Sequence, residues 1–438
     1  MPQPPLIDRR LPLIGHFPYI NGIGVDSFAF FREAAQRYGR IFSVAFPGTK
    51  YVVMLGPEAN RFILERETPY MSWGAAYGAG GKRVFGANAL PLIDGEEHRR
   101  RRAPMLSAFR PQNIAAFSES MVDLTRSQMR SWTEGVELDF VAEMSEITFR
   151  IAAGFLLGVD IGDDYPKFRT IYEKMFSVPS LLMTSLGMSN RDSERRELAK
   201  LFGPWIRERR EHPRDDVISR LVEAGLDDED IMAQILIMMF AGHDTTKLSL
   251  SWVMGLFLQH PEYLKRVLAE QEEVLGDGPV TPEAMRKLGV LDRGIREANR
   301  MFPPASLLQR GVIQEFEFGG FTVPKGWKVM YLPRVTHHLP DVFKDPDTFD
   351  PDRFAAPREE HKQPYAMVDF GGGFRTCPGK ELSLYEAKVV LSCLLRSFEF
   401  TLAPGLKIEA ANTGALTRPK HGVKVFVKPT KRSVPKAA

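Results

Sequence analysis

The sequence predicts a mainly α fold with a minor β component, and three observations carry that reading. From Gly95 to Glu272, apolar residues recur at helical spacing in several separate segments. The pattern Asp227–His260 is the longest of them. Alternating, strand-like stretches occur toward the two ends of the chain.

Taken in order, residues 1–24 hold Pro2, Pro4, Pro5, Pro12 and Pro18, which lack the N–H a helix needs, so an extended lead-in is expected. Asp26–Tyr38 has helical spacing. Ile41–Phe46 and Tyr51–Leu55 alternate on either side of Pro47-Gly48, the pattern of a β-hairpin. Pro57–Arg66 places proline at a helix entry. Gly74–Gly86 is rich in Gly and Ala and reads as a long mobile loop, and Asp94 begins a helix that runs through Arg102. Leu291–Met301 is helical. Glu315–Val323, turning at Gly319-Gly320, then Trp327–Leu332 and Phe398–Leu402 read as strands. Leu339–Gln363 is Pro/Asp-rich and irregular, and Gly379–Phe398 is the last long helix. No repeat, low-complexity tract or linker divides the chain, so one domain over residues 1–438 is expected.

Of 438 residues, 44% are hydrophobic and 26% charged, the balance of a globular chain that can bury a core and still enclose a cofactor. The net charge of +3, with one dense basic cluster at Arg99–Arg102, argues against nucleic acid, which needs a broad basic face. Two cysteines, Cys377 and Cys393, in so long a chain read as intracellular. The start shows no basic-then-apolar leader. No run reaches the ~18 uncharged apolar residues of a membrane span. A monomeric, cytoplasmic protein without a membrane anchor is the expectation.

The strongest chemical signal is Phe370-Gly-Gly-Gly-Phe-Arg-Thr-Cys-Pro-Gly379. Three glycines let the backbone turn left-handed and approach a flat ligand. Arg375 can meet an anion. Cys377 opens a helix, whose N–H groups and dipole should lower the thiol's pKa toward the thiolate. A buried structural cysteine beside a glycine turn is the plainer reading of such a residue. Cys393, in the apolar run Val389–Leu395, reads as core.

The complete pattern Phe370, Gly373, Arg375, Cys377, Gly379 resembles the haem-binding signature of the cytochrome P450 family. The resemblance implies a triangular, mostly helical prism enclosing haem b, with Cys377 as the sulfur ligand to iron and Phe370, Arg375 and Gly379 at the cofactor. Gly-Gly-Gly before the cysteine and Gly-Lys-Glu after it are similar to the retinoid- and terpenoid-oxidising branch.

Other landmarks follow in the family's order. Glu297 and Arg300 share a helix face and by spacing alone form a surface ion pair worth ~0–1 kcal/mol. The resemblance makes them a buried network with Arg353 of Pro351-Asp-Arg-Phe354. His98 and Arg102, four apart, read as a solvated basic helix, with Arg99–Arg101 facing solvent. The resemblance puts His98, Arg102 and Arg310 at the haem propionates.

Ala241-Gly-His-Asp-Thr-Thr246 interrupts the longest helix, where a threonine can bond back to a carbonyl. The resemblance makes Asp244 and Thr245 the acid and alcohol that deliver protons to bound dioxygen, with His243 turned away from the iron. It implies hydroxylation of a lipophilic terpenoid, retinoid, steroid or fatty-acid-like molecule with dioxygen (O2). The electrons would come from a separate ferredoxin or flavodoxin with its reductase. Candidate pocket walls are Phe240, Ala241, Leu307 and Leu308, with Met175–Met188 as a flexible apolar lid. A haem-thiolate peroxygenase or isomerase is the first rival, and loss of the acid–alcohol pair would mark it. A non-catalytic haem binder is the second, distinguished by the absence of substrate-dependent oxygen uptake.

Overall fold

The computed structural model describes residues 1–22, 26–65, 69–159, 161–176, 191–413 and 415–432. The proline-rich start carries one short helix, α1 (Phe17–Asn21), and then α2 (Ser27–Tyr38), whose N-cap Asp26 accepts from Phe28 and Ala29 N–H. Strands β1 (Ile41–Phe46) and β2 (Thr49–Met54) pair antiparallel with Phe46 opposite Thr49, so Pro47-Gly48 is a two-residue hairpin turn with Gly48 at φ 77°. Helix α3 is Pro57–Leu64 and β3 is Met71–Ser72.

The expected loop at Gly74–Gly86 is instead a helix, α4 (Trp73–Phe85), broken once at Gly78. Its intrinsic propensity is poor, but its first turn is capped from outside. Ser72 Oγ accepts Ala75 N–H at 2.9 Å, and the Asp94 carboxylate accepts Trp73 and Gly74 N–H at 3.0 and 3.2 Å. Gly74 is needed there, because a Cβ would stand 2.5 Å from the Leu92 carbonyl oxygen.

A helical middle follows: α5 (Gly95–Ala108), α6 (Pro111–Ala116), α7 (Ser118–Met129), the short β4 (Glu137–Asp139), α8 (Phe140–Leu157) and α9 (Tyr165–Phe176). Then come α10 (Asp192–Glu211), α11 (Val217–Glu223) and the long α12 (Asp228–Gln259), capped by Asp227. Helices α13 (Pro261–Leu275), α14 (Pro282–Lys287) and α15 (Gly289–Met301) lead to β5 (Leu308–Val312), β6 (Phe316–Phe318), β7 (Phe321–Val323) and β8 (Lys328–Tyr331). After α16 (Pro333–Thr336), the irregular stretch holds only 3-10 turns, at Pro351–Phe354 and Glu360–Lys362. Helix α17 (Lys380–Ser397) and strands β9 (Phe398–Leu402), β10 (Ala410–Thr413), β11 (Leu416–Pro419) and β12 (Lys424–Pro429) complete the described chain.

The main sheet has the order β1-β2-β8-β5-β3, so residues 41–72 meet residues 308–331 in it. The largest apolar core joins α7, α8, α12, α15 and α17 around Ile147, Val253, Phe257, Ile295 and Val390, and it buries Cys393 as expected. A second apolar cluster joins α5, α8, α9, α10, α11 and the first half of α12. Helix α12 runs through both, so its midpoint is held from two sides. No described helix is long and apolar enough to cross a membrane.

Candidate active site

Cys377 lies in the turn before α17, with Gly379 as the helix N-cap. Its N–H donates to the Phe370 carbonyl at 2.9 Å, which closes the loop. Gly371 and Gly373 have φ of 71° and 57°, and a Cβ at Gly373 would stand 2.0 Å from the Leu64 carbonyl oxygen, so no side chain fits there. The sequence reading expected a lowered thiol pKa. Burial instead pushes the Cys377 thiol up, opposed by the N–H groups of Gly379 and Lys380 and by Arg102. The sulfur precedes the helix rather than opening it, and desolvation outweighs the donors.

Around this loop stands a group of donors. Arg102 Nη2 donates to the Thr376 carbonyl. Arg375 Nη2 donates to Asp94 and to the Ile93 carbonyl, both at 2.9 Å. Arg310 is buried, with its guanidinium 3.5 Å from the Trp73 ring centre, and Arg375 reaches within 5.7 Å of the same ring. Burial lowers the pKa of Arg310, and burial with Arg375 and Arg102 drives His98 down to about 3, so that ring is neutral. Among the described residues, the buried atoms His98 Nδ1, Trp73 Nε1 and Arg310 Nη2 have no hydrogen-bond partner. Trp73 and Asp94 were missed in this role. A lone tryptophan in a Gly/Ala-rich stretch is the signal that could have found the first. Arg101 is a correction. It is buried, not solvent-facing, and pairs with Glu97 and with Asp230 at 2.7 Å, because the helical turn points it at α12.

Glu297, Arg300 and Arg353 come together, all fully buried. Glu297 accepts from Arg300 at 2.7 and 2.9 Å, from Arg353 at 3.1 Å and from Asp350 N–H at 2.9 Å. Arg300 also donates to the His337 carbonyl at 2.8 Å, and Arg353 to Lys344 O at 2.7 Å and Glu360 at 2.8 Å. Removing one member would strand a charge, at a cost of about 3–5 kcal/mol, far above a surface pair.

At the midpoint of α12, Ala241 is exposed and Gly242, Asp244 and Thr245 are half-buried, although the turns on either side are buried. Thr245 Oγ1 donates to the Ala241 carbonyl at 2.6 Å. Asp244 is held by Lys247 and by Tyr172 Oη at 2.6 Å. Burial raises the pKa of its carboxyl, but Lys247 and His243 outweigh that, and the net direction is down. His243 is buried against Phe149 and hydrogen-bonded to Thr148. Above this segment Phe85 of α4, Phe176 of α9 and Phe240 of α12 meet with ring centres 4.7–5.5 Å apart.

Phe240 thus joins an aromatic cluster, whereas Leu307 packs toward Ile20, Phe31 and Leu332, and Leu308 packs on the sheet core with Val312 and Tyr331. The entry to β5 carries these two leucines into the sheet's packing rather than to Phe240. Of the expected lid Met175–Met188, residues 177–188 lie outside the described residues.

A family model described as Cytochrome P450 matches residues 4–427. The chain is 31% identical over 439 residues to "Putative cytochrome P450 120" of Synechocystis sp. (strain ATCC 27184 / PCC 6803 / Kazusa), covering 97% of this chain and 96% of that one. It is 27% identical over 413 residues to abscisic acid 8'-hydroxylase 1 of Arabidopsis thaliana, covering 92% and 86%. Among solved structures, a retinoic acid bound cyanobacterial CYP120A1 superposes with a TM-score of 0.86 at 30% identity, covering 98% of this chain and all of that one. The family works with haem b, dioxygen, redox partners and lipophilic substrates. With a match from residue 4 to residue 427 and a fold that superposes throughout, this chain belongs to the cytochrome P450 family and is a monooxygenase.

Proposed function

We propose that this monooxygenase hydroxylates an isoprenoid of the retinoid or terpenoid kind. It takes two electrons from a separate ferredoxin or flavodoxin with its reductase, and it works as a single-domain monomer in the cytoplasm. Cys377 would supply the sulfur ligand to the haem iron, with Phe370 and Gly379 at the cofactor.

The observation that carries this reading is the cluster of buried donors beside the cysteine loop. His98 Nδ1, Trp73 Nε1 and Arg310 Nη2 lack partners among the described residues, and Arg102 and Arg375 add two cations. Buried donors left unpaired cost roughly 1–3 kcal/mol each. Two propionates bring two negative charges, and guanidinium and N–H groups are the donors that match carboxylates. The residues present therefore fit haem b.

Bound there, haem b supplies the oxygen activation by which one oxygen atom enters a C–H bond. The rest is the work of the chain. Thr245 gives its own proton to the Ala241 carbonyl, so its oxygen is left to accept a hydrogen bond. Asp244, half-buried, paired with Lys247 and next to Thr245 in the chain, moves protons inward. Phe85, Phe176 and Phe240, with the small Ala241, exclude water and receive an apolar substrate. Retinoic acid and abscisic acid in the names of two matched proteins support an isoprenoid acid as the substrate class.

Cys377→His should abolish the red-shifted Soret band of the reduced carbon monoxide complex, and survival of the band overturns the ligand assignment. Retinoic and abscisic acids, titrated beside a fatty acid and a steroid, should give the larger low-spin to high-spin shift. A shift with the fatty acid or steroid alone overturns the substrate class.

A further inference from the structure

Tyr172 of α9 is buried between the rings of Phe149, Phe176 and His243, at centre distances of 5.5, 4.6 and 5.6 Å. Its hydroxyl donates to Asp244 Oδ2 at 2.6 Å. The other Asp244 oxygen, Oδ1, takes the Lys247 ammonium. That ammonium also lies 3.2 Å from His243 Nε2.

The state of His243 follows from its neighbours. Thr148 Oγ1 gives its proton to the Met144 carbonyl at 2.8 Å, so at 3.0 Å it accepts from His243 Nδ1. Nε2 is then bare and accepts from Lys247. From β11, Arg418 adds a positive field at Asp244. The groups facing the carboxylate are therefore Lys247 and neutral His243 on α12, Tyr172 on α9 and Arg418 on β11. Both carboxylate oxygens are engaged, and each donor to the charged form makes the carboxylate harder to protonate.

We propose that Tyr172 is a positioning residue for Asp244, and that its hydroxyl ties the proton supply of the reaction to the seating of α9. The proposal rests on the relay reading of Asp244 given above. One turn beyond Tyr172, the same helix carries Phe176, whose ring lies tilted against Phe240 at 4.7 Å and stacks on Phe85 at 5.5 Å. A molecule that parts Phe176 from Phe240 strains the turn bearing Tyr172, and with it the hydrogen bond to Asp244. Substrate entry and release of the acid thus share one helical turn.

The test is an infrared pH titration of the haem-loaded protein. The Asp244 carboxylate band is identified as the one missing in Asp244→Asn. In Tyr172→Phe, which keeps the ring, the band's midpoint should move to higher pH, since a donor to the charged form is gone. Phe176→Ala should move it the same way by loosening α9. Product formed per electron pair should fall roughly threefold or more in Tyr172→Phe, with the acid limb of its pH profile displaced in step with the band. A midpoint unmoved in a folded Tyr172→Phe overturns the assignment of Tyr172, and one unmoved in Phe176→Ala overturns the tie to α9. The relay reading fails separately, through unaltered coupling in Asp244→Asn, and that result removes the acid the tyrosine would position.

Discussion

His337 holds Val368: its Nε2 accepts the Val368 N–H at 3.0 Å. The other ring nitrogen, Nδ1, lies 3.1 Å from the Arg300 carbonyl, so Nδ1 carries the proton and the tautomer is fixed. This ring links the buried Glu297–Arg300–Arg353 network to the start of the cysteine loop. Val368 stands two residues before Phe370, whose carbonyl takes the Cys377 N–H. His337→Leu should leave the Val368 N–H and the Arg300 carbonyl unpaired, at a cost of about 2–4 kcal/mol. Urea unfolding of the haem-loaded variant measures this, and a midpoint equal to that of the parent protein contradicts the linkage.

Acid should weaken the protein before its carboxylates titrate. Burial drives both His337 and His243 from 6.5 down to about 3 in the folded chain. Between those values the unfolded chain binds more protons than the folded one, so stability rises with pH through that window and is lost on acidification. Each ring forfeits on the order of 1 kcal/mol per pH unit below 6.5. Urea midpoints at pH ~7.5 and ~5 should differ accordingly, with a shallower dependence in His243→Gln. Equal midpoints at the two pH values would show that the rings are not held neutral.

Thr245→Ala should separate electron consumption from product. The hydroxyl that donates to Ala241 at 2.6 Å disappears, and with it the oxygen that accepts a proton donor beside Asp244. Peroxide release should rise, and product per electron pair should fall roughly tenfold or more. The check is simultaneous assay of NADPH, peroxide and product, and unchanged coupling refutes the role.

Trp73→Phe keeps a ring beneath Arg310 but removes the indole N–H. Loss of one hydrogen bond to a charged group is worth about 1.5–3 kcal/mol, so haem should leave roughly tenfold faster or more. Haem transfer to an excess of apomyoglobin gives the rate, and an unaltered rate excludes the indole as a propionate donor.

Much of this was legible in the sequence wherever the cause is local. Asp227 caps the longest helix from the next residue, Pro47-Gly48 closes its own hairpin, and Phe398–Leu402 alternates as a strand should. The illegible parts depend on distant partners. Helix α4 looks like a loop because the carboxylate that caps it, Asp94, comes about twenty residues later. Arg101 looks solvated because Asp230 is far along the chain, and Tyr172 means nothing until α9 lies against Asp244. The thiol of Cys377 shows the same limit, since burial cannot be read from motif spacing.

Asp94 serves two masters. One oxygen takes the Trp73 N–H and Arg375, the other takes the Ser72 hydroxyl at 2.5 Å and the Gly74 N–H. Residues 72–94 are therefore the natural cassette for chimeras with relatives. A graft of α4 that omits the aspartate would uncap the helix and strip Arg375 of its carboxylate together, whereas one that includes it carries its own anchor.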